Sequence, residues 1–225
     1  MNQPIADRTL ARGAELPTSL EEALDPSTSA WNLRQGTVRS PEDRRIVFLS
    51  TDMVRGIRQA LEWETGEATE LILRTCGRRW GGRTARALEA TVEERTGKPP
   101  GELSLDAYLT LLEEFVARAG WGLFSVDLAH AESHGVLVAR LENSFFEAAF
   151  PEAEGRIDTL FAGLLEALFS RIAGQELGAV QLDPSGTEGG PRFLISGAAR
   201  IDDAAEQLED GEPAARVLAR LLGGA

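Results

Sequence analysis

The chain has 225 residues, 43% apolar and 26% charged, the composition of an ordinary globular domain with one sizeable core. Its formal net charge of −13 argues against DNA, RNA or an anionic membrane as partner, because each is bound through clustered Lys and Arg. The single cysteine, Cys76, excludes an intrachain disulfide and a multi-cysteine metal site within one chain. The N-terminus MNQPIADRTLARG has no signal-peptide core and no apolar run reaches membrane-spanning length, so a cytoplasmic protein is expected.

Residues 1–40 are polar and broken by Pro17, Pro26 and Gly36. They read as an arm or linker with a helical turn or two at 19–24, and Trp31 either pins the arm in a groove or stays free. Residues 45–50 are strand-like. Ser50, Thr51 or Asp52 then caps a helix over 53–64 with Val54, Ile57, Leu61 and Trp63 inward. Gly66 breaks it, and a long helix from about 67 carries Leu71, Leu73, Cys76, Trp80, Ala87, Leu88 and Val92. Gly77, Gly81 and Gly82 inside it cost about 1 kcal/mol each relative to Ala, which suits a place where another backbone or a ligand comes close.

Residues 103–119 form a helix with Leu105, Tyr108, Leu112, Phe115 and Ala119 on one face and Ser104 as cap. Gly120-Trp121-Gly122 turns into a strand over 123–129, a hairpin loop follows at 130–135, and 136–141 returns as its partner. The most apolar helix lies within the stretch 156–183. Its Leu160, Phe161, Leu164, Leu165, Leu168, Phe169 and Ile172 recur at three- and four-residue steps, with Asp158 as N-cap and Gly174 as C-cap. Strands at 177–182 and 192–196 flank a mobile glycine-rich loop, and a last helix over 202–222 is interrupted near Gly211 and Pro213. Hairpin-paired strands and separate helices predict an α+β fold, an antiparallel sheet packed against helices.

No Ser-His-Asp set, paired carboxylates, P-loop or dinucleotide fingerprint can be assembled, so an enzyme is not expected and no catalytic residue is assigned. His130 and His134 with Asp127 could be drawn as a metal site, but they fall in a hairpin loop with no second carboxylate at helical spacing, so a solvated loop is expected. Arg74, Arg78, Arg79, Arg83 and Arg86 form the one basic stretch. They either receive a ligand's carboxylates or an acidic partner, or pair with Glu89, Glu93 and Glu94 on a solvated face. Cys76, near these arginines, is either a reactive or lipidated thiol or, more commonly, a buried small hydrophobe.

Cys76-Gly77-Arg78-Arg79-Trp80-Gly81, Gly120-Trp121-Gly122, Leu141-Glu142-Asn143-Ser144-Phe145-Phe146 and Leu160-Phe161-Ala162-Gly163-Leu164-Leu165 are continued by Ala179-Val180-Gln181 and Arg192-Phe193-Leu194-Ile195. In this order the series resembles the 4-vinyl reductase domain family over about residues 46–196. The resemblance implies a fold like the TRAPP trafficking subunits and a homodimer that senses or carries a small hydrophobic or tetrapyrrole-like ligand, with a protein partner for signalling. Cysteines that many members carry match Asp158, Asp183 and Pro191 here, so no cysteine-bound metal or other cofactor is carried over.

The expected ligand site is an apolar pocket of Cys76, Trp80, Trp121, Phe124, Phe145, Phe146, Phe161, Leu164 and Phe193. The domain would run over 41–200, with 201–225 as a helical extension. A scaffold subunit with a closed core, similar to the cellulose-synthase D subunit, is the alternative.

Overall fold

A computed structural model describes residues 30–32, 34–39, 45–97 and 105–223. The helical turns expected at 19–24, the side chain of Trp31 and the Ser104 cap lie outside the described residues. Three short strands, β1 (Ala30–Asn32), β2 (Thr37–Arg39) and β3 (Arg45–Ile46), pair as a small antiparallel sheet in that order. The segment read as a featureless arm therefore contributes two strands, joined by a turn in which Gly36 takes φ 61°. The strand read over 45–50 stops at Ile46.

Helix α1 (Thr51–Thr65) starts at Ser50, whose Oγ accepts from Met53 N at 3.2 Å. Its inward side is set by a polar anchor. Arg58 is buried and donates to Glu62 Oε1 (2.7 Å), to the Ile157 carbonyl (3.2 Å) and to Glu70. Turning Arg58 inward turns Ile57 and Trp63 outward, at 48% and 87% exposure, a correction to their expected burial. Val54 and Leu61 stay partly covered.

The long helix α2 (Ala68–Thr96) ends at Gly97 in the left-handed conformation. After α3 (Leu105–Arg118) come β4 (Leu123–Asp127), the short helix α4 (Ala131–His134), β5 (Leu137–Glu142) and α5 (Phe145–Ala149). Thus 130–135 holds a helical turn where a plain hairpin loop was expected. Then follow the central helix α6 (Thr159–Ala173), β6 (Leu177–Gln181), β7 (Arg192–Gly197), α7 (Ala198–Glu209) and α8 (Ala214–Leu221). The last helix starts earlier than the periodicity suggested and is two helices, split around Gly211 and Pro213.

The main sheet has the order β4-β5-β7-β6 and is antiparallel throughout. Alternation along its strands supplies two faces. Phe124, Val126, Ala139, Leu141, Phe193, Ile195, Leu177 and Ala179 share a core with α3 and α6. Val136, Leu182 and Leu194, with Val138 and Val180, share a second core with α7 and α8. This is an α+β fold, with α6 filling the middle of the inner layer.

Candidate ligand site

Helices α2 and α6 meet along a seam where backbone approaches backbone. A Cβ placed on Gly77 would overlap the Leu160 carbonyl, one on Gly81 would lie 2.5 Å from the Leu164 carbonyl oxygen, and one on Gly163 would overlap the Arg74 carbonyl. These glycines therefore accommodate an opposing backbone. Gly82 meets nothing. Along the same seam Glu166, buried in the middle of α6, accepts from Arg74 Nε (3.1 Å) and pairs with Arg78 Nε (2.9 Å). Two of the five arginines are thus held by a carboxylate from another helix, not by the expected Glu89, Glu93 or Glu94. Glu89 pairs with Arg171 instead, at 2.5 and 2.6 Å.

The predicted aromatic residues fall into two packed groups. Trp121 lies at the hub of the first, with ring centroids 4.7 Å from Trp80 and 5.6 Å from both Phe145 and Phe146. Phe161 centres the second, 5.9 Å from Phe124 and 5.4 Å from Phe193. Phe124, Phe161, Leu164 and Phe193 belong to the inner core, and Trp80 and Trp121 pack against its edge. The Trp121 turn is fixed by the backbone: Gly122 takes φ 137°, and a Cβ there would lie 2.6 Å from the Glu142 carbonyl oxygen. Phe145 N donates to Trp121 O at 3.0 Å. Trp80, Trp121 and Phe145 remain half-buried, so the first group borders solvent while the second is sealed. Cys76 is exposed, because α2 turns Leu73, Gly77 and Gly81 toward its neighbours. This corrects the expectation that it is a buried hydrophobe.

Beside the first group lies a polar cluster that spacing alone did not reveal. Asn143 adopts φ 55°, a left-handed conformation that Asn tolerates. It positions Ser144, whose Oγ accepts from Phe146 N and Glu147 N at the head of α5 and donates to Asp158 Oδ2 at 2.7 Å. Asp158 occupies the N-cap position of α6, yet its side chain makes no capping bond. It is fully buried, and Oδ1 has no hydrogen-bond partner among the described residues. Burial pushes its carboxyl up to about 7, with Glu147 adding to the rise and the Ser144 hydrogen bond and Arg58 opposing it.

Asp158 N donates to Gln181 Oε1 (2.8 Å), and Gln181 Nε2 donates to the Asp183 carbonyl (2.8 Å). Burial works against ionisation of Asp183, but two hydrogen bonds from the Arg192 guanidinium, at 2.7 and 2.8 Å, hold its carboxyl below the usual range. Asp158 is thus a buried carboxyl, Asp183 half of an ion pair, and Pro191 is buried. The ends of the 183–191 loop are correspondingly buried, while Pro184, Gly186, Glu188 and Gly189 in its middle are exposed.

Other candidate sites are less coherent. The His130 and His134 rings are 5.8 Å apart, and Asp127 Oδ1 accepts from Ala129 N. Among the described residues no group of three or more His, Cys, Asp or Glu is placed to hold a metal ion, and no helix is long and apolar enough to cross a membrane. A half-open groove of about 880 Å³ lies between α3 and the outer side of β4 and β5, lined by Leu109, Ser125, Asp127, Val138, Arg140 and Leu218 among others. Its mixed, charged lining is unlike the expected apolar pocket.

Neither a family model nor a curated protein sequence matches the chain. The fold is similar to that of a solved structure, the phenol-responsive sensory domain of the transcription activator PoxR with phenol. The match has a TM-score of 0.64 at 17% identity and covers 89% of this chain and 98% of that one. The likeness is one of fold.

Proposed function

We propose that this chain is a non-catalytic binding domain of the 4-vinyl reductase type that takes up a small hydrophobic molecule for sensing or carriage. A single-ring aromatic compound is the best-suited ligand. The observation that carries this reading is the Trp121 hub, a solvent-bordering aromatic group at the edge of an apolar core, in a fold similar to that of a phenol sensor. Rotation of Trp121 away from Trp80 would open a slot between rings, and edge-to-face contacts would reward a bound ring by roughly 0.5–1.5 kcal/mol each beyond its area burial. A macrocycle would have to part both aromatic groups, so a tetrapyrrole ranks below a single ring.

Titration of the full chain with phenol, alkylphenols and a porphyrin, followed by tryptophan fluorescence and calorimetry, tests the reading. A saturable signal for the single-ring compounds, weakened at least tenfold by Trp121→Ala, is the expected result. No binding of any compound above nonspecific levels would leave the closed-core scaffold as the better account. Full affinity in the Trp121 variant would move the site elsewhere.

A further inference from the structure

We infer that the solvent face of α2 carrying Arg79, Arg83 and Arg86 is a docking surface for an acidic helix of another protein. The chain holds 36 Asp and Glu against 23 Lys and Arg, so its arginines have carboxylates in excess to pair with. Every other arginine after position 50 whose side chain is described makes a hydrogen bond or an ion pair. Arg79, Arg83 and Arg86 make none among the described residues, and all three are exposed. They follow one another at four- and three-residue steps, so they share one side of the helix over about 10 Å of its axis. Like charges at that spacing destabilise a helix by roughly 0.2–0.5 kcal/mol per pair. Two carboxylates that could relieve them are engaged: Glu89, three residues after Arg86, holds Arg171, and Glu166 on α6 holds Arg74 and Arg78. Nor can α2 roll to bring the arginines inward, because its opposite side meets α6 backbone at Gly77 and Gly81.

Gly82 is a second, independent observation on this surface. A glycine inside a helix costs about 1 kcal/mol relative to Ala. At Gly77, Gly81 and Gly163 an opposing backbone explains it, but a Cβ on Gly82 would meet nothing within 4 Å in this chain. Gly82 lies three residues after Arg79 and four before Arg86, so it neighbours both on the helix surface. A glycine there lets a second helix axis approach to about 8 Å, close enough for short acidic side chains to reach the guanidiniums beside it. An acidic helix suits the face in register as well. Its carboxylates, three and four residues apart, repeat at the same axial steps as the arginines, and each can take a guanidinium through two parallel hydrogen bonds. The net charge of −13 repels a long polyanion such as DNA, whereas a docked helix sits within the roughly 8 Å over which charges act at physiological salt. This docking does not depend on whether the aromatic groups bind a ligand.

The probe is a labelled, Ala-based helical peptide of about 20 residues with Glu at three- and four-residue steps along one face. Fluorescence anisotropy with the full chain should show saturable binding at about 50 mM salt, weakened at least fivefold at about 500 mM. The combined reversal Arg79→Glu, Arg83→Glu and Arg86→Glu should weaken it at least tenfold. Arg83→Ala, which adds no new charge, covers the case in which that variant loses its fold, and should weaken binding about threefold. Arg34 and Arg45 are exposed on the small sheet, so Arg34→Glu with Arg45→Glu changes the net charge without touching α2 and should bind as wild type does. No binding of the Glu peptide, equal binding of its Gln counterpart, or full affinity in Arg83→Ala would each overturn the inference. So would an equal loss in the Arg34 and Arg45 variant, or tighter binding of a short DNA duplex than of the peptide.

Discussion

Asp158 shows how much one side chain at the head of the central helix can decide. It is buried with only one oxygen satisfied, and its carboxyl titrates at about 7 in the folded chain, whereas an unfolded Asp titrates near 3.9. The raised value means that the folded state holds the proton to higher pH. Below about pH 4 both states are protonated and the contribution to stability is complete. As pH rises toward 7 the unfolded chain releases its proton first, and stability falls by a few kcal/mol before levelling off. Asp158→Asn keeps the shape and removes the charge, so unfolding in urea should find the variant more stable than wild type at about pH 8.5 and about equal at about pH 3.5, below the unfolded value. A difference that does not change between those pH values would refute the assignment. The N-cap position of Asp158 was legible from its place before an apolar period. Its burial was not, because Ser144 and Gln181 lie 14 and 23 positions away in sequence. Glu166 likewise reads as a stray charge on an apolar helix until Arg74, 92 positions distant, is beside it.

At the scale of elements, α2 and α6 are held by what their glycines lack. Substituting Gly→Ala in an ordinary helix gains up to about 1 kcal/mol, but at Gly163 or Gly77 the new methyl would strike backbone that cannot swing aside, and overpacking of this kind costs about 1–3 kcal/mol. Thermal unfolding should therefore give opposite signs within one molecule: Gly163→Ala lowers the Tm, and Gly82→Ala, in open space, raises it slightly. Equal responses would mean that the two helices can move apart freely. The glycines were visible in the sequence as a cost needing a reason, but backbone and ligand were equally good reasons until α6 was in place. Strands β4 to β7 and helix α6 were legible because periods of two and of three to four residues are strong local signals. The inward face of α1 was misjudged because Arg58, which turns it, outweighs the apolar period through partners on α2 and before α6. Cys76 was misplaced for a related reason, since the face of α2 that packs follows Gly77 and Gly81 more than the large side chains.

For the whole molecule the decisive feature is that one sheet serves two cores. In β7, Phe193 and Ile195 point to α6 while Leu194, between them, points to α7. The helices after residue 197 therefore cover the outer face of the sheet and complete its second core, and their packing is transmitted to the aromatic groups through β5, β6 and β7. Such sharing predicts a single cooperative transition. Ile201→Ala tests it, because Ile201 is fully buried in the outer core and its truncation costs roughly 2–5 kcal/mol, while Trp80 and Trp121 report from the inner side. In urea, the fluorescence midpoint and the far-ultraviolet dichroism midpoint of the variant should shift down together and by the same amount. A variant whose dichroism shifts while the tryptophan transition stays in place would show that the outer layer unfolds alone, and that the aromatic site does not depend on it.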